Sequence, residues 1–126
     1  MIDALFNDPY YLAGKKNLDA IVLRHEAIAS NIANLETPGY KRLDLAPSFK
    51  AELERACAAG DPQQIAGLTP SIAPDPNAVA RSPDGNTVDL ESEMMNLNQN
   101  TLAHAVQTQL ISSALMRLQM AISGKS

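Results

Sequence analysis

The side chains in this chain that could carry chemistry are few, and their settings decide what they offer. Two histidines, His25 and His104, and one cysteine, Cys57, make up the whole stock of soft nucleophiles and imidazole bases. A reactive thiolate needs an electropositive setting and a base within reach. Cys57 stands instead in the Ala-rich run Arg55-Ala56-Cys57-Ala58-Ala59, with no catalytic signature beside it. A closed metal site takes about four ligands in fixed geometry, and two histidines with no accompanying ligands fall short of it. Asp89, Glu91 and Glu93 form the carboxylate cluster that most resembles an acid–base pair. They also open a helical pattern, where the helix dipole favours negative charge for ordinary electrostatic reasons. The residues therefore point to no catalytic group, no metal, no cofactor and no small-molecule substrate.

The elements that would hold these residues are mostly helical. From about Gly14 to Leu35, the residues Leu18, Ile21, His25, Ile28, Ile32 and Leu35 follow a heptad seam with one polar member. Val22, Ala29 and Ala33 form a second row beside it. A longer helix is predicted from about Asp89 to Ile122, with Asp89 capping its start. Its seam runs through Met94, Leu97, Thr101, His104, Thr108, Ile111, Leu115, Leu118 and Ile122. Met95, Leu102, Val106, Leu110, Met116 and Met120 are expected on an adjoining face. The two histidines thus occupy seam positions on the two helices, where they can approach each other.

Between the helices lies a middle zone, about Tyr40 to Asn86, that holds six of the eight prolines. Thr37-Pro38-Gly39-Tyr40 ends the first helix in a turn, with Pro-Gly suited to the central positions of a type II turn. Tyr40 is expected to anchor that turn against the C-terminal helix, with Leu43, Leu45 and Phe49 extending the contact. One short helix fits the middle zone, with Pro47 in its first turn, Phe49, Leu53 and Ala56 on one face, and Gly60 after its end. Asp61 to Pro83 reads as extended or loop-like, with too little alternation to assign a strand pair.

Composition narrows the function further. The chain has 126 residues and a net charge of -4, with 10 basic and 14 acidic residues. Its basic residues are spread out, whereas nucleic-acid binding needs a concentrated positive footprint. The longest apolar run, Ala20-Ile21-Val22-Leu23, is far short of the ~20 residues that span a bilayer. The stretch Met1 to Phe6 lacks the basic and apolar regions of a cleavable secretion signal. No aromatic follows Phe49, so the C-terminal part lacks the residues that bury the most area. A 34-residue helix extends ~50 Å, against a diameter of roughly 36 Å for a compact chain of this size. The expected architecture is mainly α: an elongated, coiled-coil-like pair of N- and C-terminal helices with a proline-rich, loop-dominated middle. The segments are 1–39, 40–86 and 87–126, the first and last forming one structural unit. The apolar rows fit either a helical hairpin within one chain or packing between chains.

Two segments carry a family resemblance. Ala29-Ser30-Asn31-Ile32-Ala33-Asn34-Leu35-Glu36-Thr37-Pro38-Gly39-Tyr40-Lys41 resembles the N-terminal signature of bacterial flagellar rod and hook proteins. Asp84-Gly85-Asn86-Thr87-Val88-Asp89-Leu90-Glu91, followed by Glu93-Met94, Leu97, Asn100 and Leu102, resembles the C-terminal signature of the proximal rod subunits in that family. His104 stands where those proteins usually carry an aromatic. The resemblance implies a structural subunit of the basal-body rod, in the periplasm, exported uncleaved by the flagellar type III apparatus and transmitting motor torque. It implies as partners copies of the same chain, other rod proteins, the adaptor subunit FliE, and the MS ring and export gate at the rod base. The assembly interface expected from it comprises Leu18, Ile21, Ile28, Asn31, Ile32, Asn34 and Leu35 on the first helix. On the last helix it comprises Met94, Leu97, Leu102, Ile111, Leu115, Leu118 and Ile122. Leu97→Asp or Ile28→Asp is expected to block assembly. The rival reading is a helical adaptor or regulator that binds one partner through an amphipathic helix.

Overall fold

In the computed structural model, which describes residues 6–124, the chain is mainly helical and built around two long antiparallel helices. Helix α1 runs Pro9–Ala33, five residues earlier at its start than the apolar rows predict. The reason is local. Asp8 accepts the Tyr10 N–H at 3.2 Å, and Pro9 takes the first helical position, where a missing N–H costs nothing. The helix stops two residues sooner than expected because Asn34 turns back on it. Its backbone N–H reaches the Ser30 and Asn31 carbonyls, and its side-chain amide donates to the Ser30 carbonyl at 2.8 Å.

Strand β1 (Leu43–Leu45) follows, then α2 (Pro47–Ala59), α3 (Pro62–Ala66), β2 (Ile72–Pro74) and α4 (Leu90–Ile122). Helix α2 has the expected limits: Pro47 opens it, Gly60 closes it at φ +66°, and Phe49 and Ala56 are buried. Two elements lie where a loop was expected. Asp61 accepts the Gln63 N–H and Pro62 starts the five-residue α3, which buries Ile65 completely. Ile72–Pro74 pairs antiparallel with β1, Leu45 opposite Ile72 and Leu43 opposite Pro74. Proline is admissible there because each strand of a two-stranded ribbon has a free edge.

Both strands and both short helices lie against α1, while α4 lies along α1's remaining side. Three polar rungs set the register of the long pair. Asn31 donates to Glu93, Asn100 to the Ile21 carbonyl at 2.9 Å, and Asn17 to Gln107 at 3.0 Å. The residue numbers fall on one helix as they rise on the other, so the helices are antiparallel. Gly14 faces α4: a Cβ there would lie 3.0 Å from the Gln107 amide nitrogen, at the end of that side chain. The core is concentrated at one end of the pair, in Ala20, Ile21, Ala27, Ile28, Phe49, Ala56, Ile65 and Val88. Helix α4 has 33 residues, about 50 Å at 1.5 Å per residue. The only side chains it buries are Glu93 and Asn100, both in its first third. No helix among the described residues is long and apolar enough to cross a membrane.

Candidate functional site

The two motif segments, some 50 residues apart in the chain, meet as one structure around Arg42. Its Nε donates to Glu93 Oε1 at 2.7 Å, Nη1 to Asp75 Oδ2 at 2.5 Å, and both Nη atoms to Asp44 Oδ2 at 3.3 Å. Asp44 also takes Arg24 Nε at 3.0 Å and its neighbour's Leu45 N–H at 2.7 Å. Glu93 is fully buried and Arg42 nearly so. A lone carboxylate placed there would cost several kcal/mol, so the guanidinium is what makes the position tolerable. Burial pulls the Arg42 pKa down, but the hydrogen bond and charge of Glu93, then Asp75 and Asp44, outweigh it and raise the pKa overall. For Asp44 burial pushes upward, and the Leu45 N–H, Arg24 and Arg42 together hold it below its ordinary value. Glu93 is therefore a structural ion, which the first-turn electrostatic reading missed. Sequence spacing gave no sign of it because its partner lies in another segment.

Asn31 ties the same cluster to α1. Its amide pairs with the Leu43 backbone in both directions, donating to the carbonyl and accepting the N–H at 2.8 Å each. The Tyr40 hydroxyl adds a contact to Asn31 Oδ1 at 3.3 Å and lies 3.0 Å from Ser30 Oγ. Tyr40 thus anchors its turn against α1, not against the C-terminal helix as expected, because the chain doubles back along the helix it has just left. Leu43 and Leu45 follow it on to α1. The turn itself has the type II form: Tyr40 N–H reaches the Thr37 carbonyl at 3.2 Å and Gly39 has φ +72°.

Asn86 closes the end of α1 from the other motif. Its Nδ2 faces the carbonyls of Asn34, Leu35 and Thr37 at 3.0, 3.0 and 2.8 Å, and its Oδ1 accepts the Val88 N–H at 2.8 Å. The Asn34 and Thr37 carbonyls also accept the Thr37 and Tyr40 N–H groups, so the amide is the added partner for these two and the one side-chain partner for Leu35 beyond the helix end. Thr87 N–H meets the Tyr40 carbonyl, the Arg42 N–H meets Thr87 Oγ1, and Lys41 Nζ reaches the Gly85 carbonyl. Gly39 and Gly85 are neighbours here: a Cβ on Gly85 would sit in ordinary contact, 3.9 Å from the Gly39 Cα, and both have positive φ, +72° and +84°. Asp89 occupies the N-cap position of α4, but its carboxylate takes the Ser92 hydroxyl at 2.6 Å and no backbone N–H.

The remaining predicted interface residues divide by exposure. Ile21, Ile28 and Asn31 are buried within the chain, and Leu18, Ile32, Asn34, Leu35, Leu97, Ile111 and Leu118 are half-buried along α1 and its neighbours. Asn31 is wholly enclosed and its amide is committed within the chain. Asn34 spends its amide on Ser30 and Thr37. Met94, Leu102, Leu115 and Ile122 are exposed. The row Met95, Leu102, Val106, Leu110, Met116 and Met120 is exposed too, with Leu102 at 67 % and Met116 at 61 %. At 100° per residue it lies about 180° from the Glu93–Leu97–Asn100–Ile111 seam that faces α1. It is an opposite face, not an adjoining one. His25 and His104 line one groove of about 330 Å³ with Ile21, Val22, Asn100 and Thr101. Both histidines are exposed, and no cluster of three or more metal-ligating side chains occurs among the described residues. Cys57 is exposed on α2.

The geometry is that of a locked helical joint beside a long, open apolar helix. A family model described as "Flagella basal body rod protein" matches residues 23–41, the segment that turns through Asn31 and Tyr40. The chain is 35 % identical to the flagellar basal body rod protein FlgB of Borrelia hermsii, over 74 % of this chain and 80 % of that protein. It is 36 % identical to the FlgB of Cereibacter sphaeroides over 84 % and 90 %, and 30 % identical to that of Escherichia coli over 73 % and 77 %.

Proposed function

The chain belongs to the FlgB family of flagellar basal body rod proteins, and from that premise we propose that it is a structural, non-catalytic subunit of the proximal rod. It polymerises through its terminal helices into the shaft that carries motor torque. It reaches its place through the flagellar type III export apparatus and meets copies of itself, other rod proteins, FliE, the MS ring and the export gate.

The observation that carries this reading is the unfinished burial of α4. Ten large apolar side chains from Leu90 to Ile122 are exposed along a helix covered on one side only. Monomeric proteins rarely leave large apolar surface uncovered without a use for it. Fully burying each Leu or Met would contribute about 1.5–3 kcal/mol, which neighbouring helices can supply and this chain alone does not. The buried joint around Arg42 holds the two helices in fixed register, as a torque-bearing part requires.

The test separates surface from core. Ile28 is buried, so Ile28→Asp reports on folding and not on assembly. Leu102→Asp and Leu110→Asp alter exposed positions. Each should leave the isolated chain as helical as before and abolish rods in basal bodies purified from a host that depends on this chain. Rods of normal number and length in both variants would refute the proposal. A folded chain that binds one partner in a fixed ratio and never enters a rod would favour the adaptor reading.

A further inference from the structure

We propose that Asp84-Gly85 is a latent isomerisation site that the closed joint protects, and that isoaspartate formed there disables the joint. The pair is the single Asp-Gly step in the sequence, and no Asn-Gly step occurs. Glycine is needed at position 85 because φ there is +84°, a conformation that L side chains rarely adopt. The requirement brings a chemical liability. With no Cβ on the residue that follows, the backbone nitrogen has an unshielded path to the aspartyl side chain. Asp84 is exposed to water, whereas Asn86, just beyond the pair, is buried and holds the end of α1.

In the first step the Gly85 nitrogen bonds to Asp84 Cγ and a Cγ–O bond breaks, the amide proton and the carboxyl OH leaving as water. Water then opens the cyclic imide at the Asp84 α-carbonyl. The main chain now runs through Cβ and Cγ, one carbon longer, and the α-carboxylate becomes the side group. The mass is unchanged and no other reactant takes part. The joint opposes the first step at both reacting groups. The Gly85 N–H, whose proton must leave, donates to the Ser82 carbonyl at 3.1 Å. Asp84 Oδ1 accepts the Ser82 hydroxyl and, at 3.0 Å, the Asn86 N–H. These contacts fix the carboxylate and favour its ionised form, which loses an oxygen less readily than the neutral acid. Once the step has occurred, the extra carbon moves Asn86 and Thr87 relative to α1. The Asn86 amide contacts with the Asn34, Leu35 and Thr37 carbonyls, and the Thr87 N–H contact with Tyr40, are set for a chain of ordinary length. A chain that stays open long enough to react therefore cannot close as before, and its opening is recorded covalently.

The experiment ages the full-length chain in mildly acidic buffer and in the same buffer with concentrated urea. Isoaspartate at position 84 is read by peptide mapping, from resistance to an aspartate-directed protease and a shifted retention at unchanged mass. It should accumulate in urea, and at least roughly tenfold more slowly in buffer, where reaction waits on local opening. Equal rates in the two would overturn the protection. Ser82 is exposed, so Ser82→Ala should keep the helicity of the parent chain, react several-fold faster in buffer, and match it in urea. A folded Ser82→Ala chain that reacts no faster than the parent would remove the hydroxyl from the account. If that variant loses helicity, the comparison of the parent chain in buffer and in urea still decides. Aged chain carrying isoaspartate at 84 is then separated and returned to buffer. It should lack slow amide exchange over Glu93 to Asn100, and full recovery of that protection would overturn the claim that the product disables the joint.

Discussion

Arg42 and Glu93 look like an equal pair, yet their removal should not cost the same. Without Glu93, Arg42 keeps Asp44 and Asp75. Without Arg42, Glu93 is fully buried with only the Asn31 amide at 3.3 Å. Leaving an uncompensated buried charge costs about 3–5 kcal/mol, so Arg42→Met should fall in that range in urea unfolding and Glu93→Gln clearly below it. Equal losses would mean that the network is shared differently. Asn86→Ala should cost about 1–3 kcal/mol, because it leaves the Leu35 carbonyl and the Val88 N–H without partners. Asp44 adds a pH dependence. Its folded pKa lies below the ordinary 3.8, so the unfolded chain takes up the proton first and stability rises with pH across that interval. The contribution is complete above the ordinary value and is lost as pH falls through the lowered one. Asp84, held down by the Ser82 hydroxyl and the Asn86 N–H, and Asp89, held down by the Ser92 hydroxyl, act in the same direction. Acid titration followed by circular dichroism should show the onset of unfolding below about pH 4, and Asp44→Asn should flatten it.

Among the elements, what could be read from sequence was what local rules determine. Pro47 and Gly60 bound α2, and the change from turn residues to helical periodicity at Asp89 placed the start of α4 within one residue. Asp8-Pro9 and Asp61-Pro62 are cap-and-start signals of the same kind, and they account for the early start of α1 and for α3. The apolar rows concealed them, since neither pair is apolar. The strand pair, with partners 27 to 31 residues apart, and the Arg42 bonds to Asp75 and Glu93, 33 and 51 apart, depend on contacts that periodicity does not encode. The heptad rows correctly marked two amphipathic helices, but not which row faces inward: the inward seam of α4 is partly polar, through Glu93, Asn100 and Gln107. That polar seam makes Gly14→Ala a clean test. The added methyl presses on the far end of the flexible Gln107 side chain and meets Ile111 Cγ1 at an ordinary 3.8 Å. Removing a helical glycine stabilises by about 0.5–1 kcal/mol, so a small rise in stability is expected. A loss above about 1 kcal/mol would show that the Asn17–Gln107 rung holds the helices more tightly than an exposed hydrogen bond should.

At the scale of the whole molecule, order and burial are unevenly distributed, and this sets how the subunit behaves before it has neighbours. Helix α1 buries residues between Ala20 and Asn31, whereas α4 buries none beyond Asn100. The 22 residues from Thr101 to Ile122 must therefore persist on half-buried contacts and helix propensity. Most of a helix's stability in a protein comes from packing of its amphipathic face, which this segment has only in part. Local opening should thus be cheapest at the far end of α4 and dearest at the Arg42 joint, where backbone, ion pairs and core coincide. In dilute solution, amide exchange should be slowest over Glu93 to Asn100 and faster over Ser112 to Ile122 by at least roughly tenfold. Raising the concentration should slow the distal amides first, since their apolar faces are the ones left uncovered. Leu110→Asp should abolish that concentration dependence without touching protection at the joint. Uniform slow exchange along all of α4 in the dilute monomer would mean that the helix is complete by itself, and the open apolar face would then need another explanation than a neighbour.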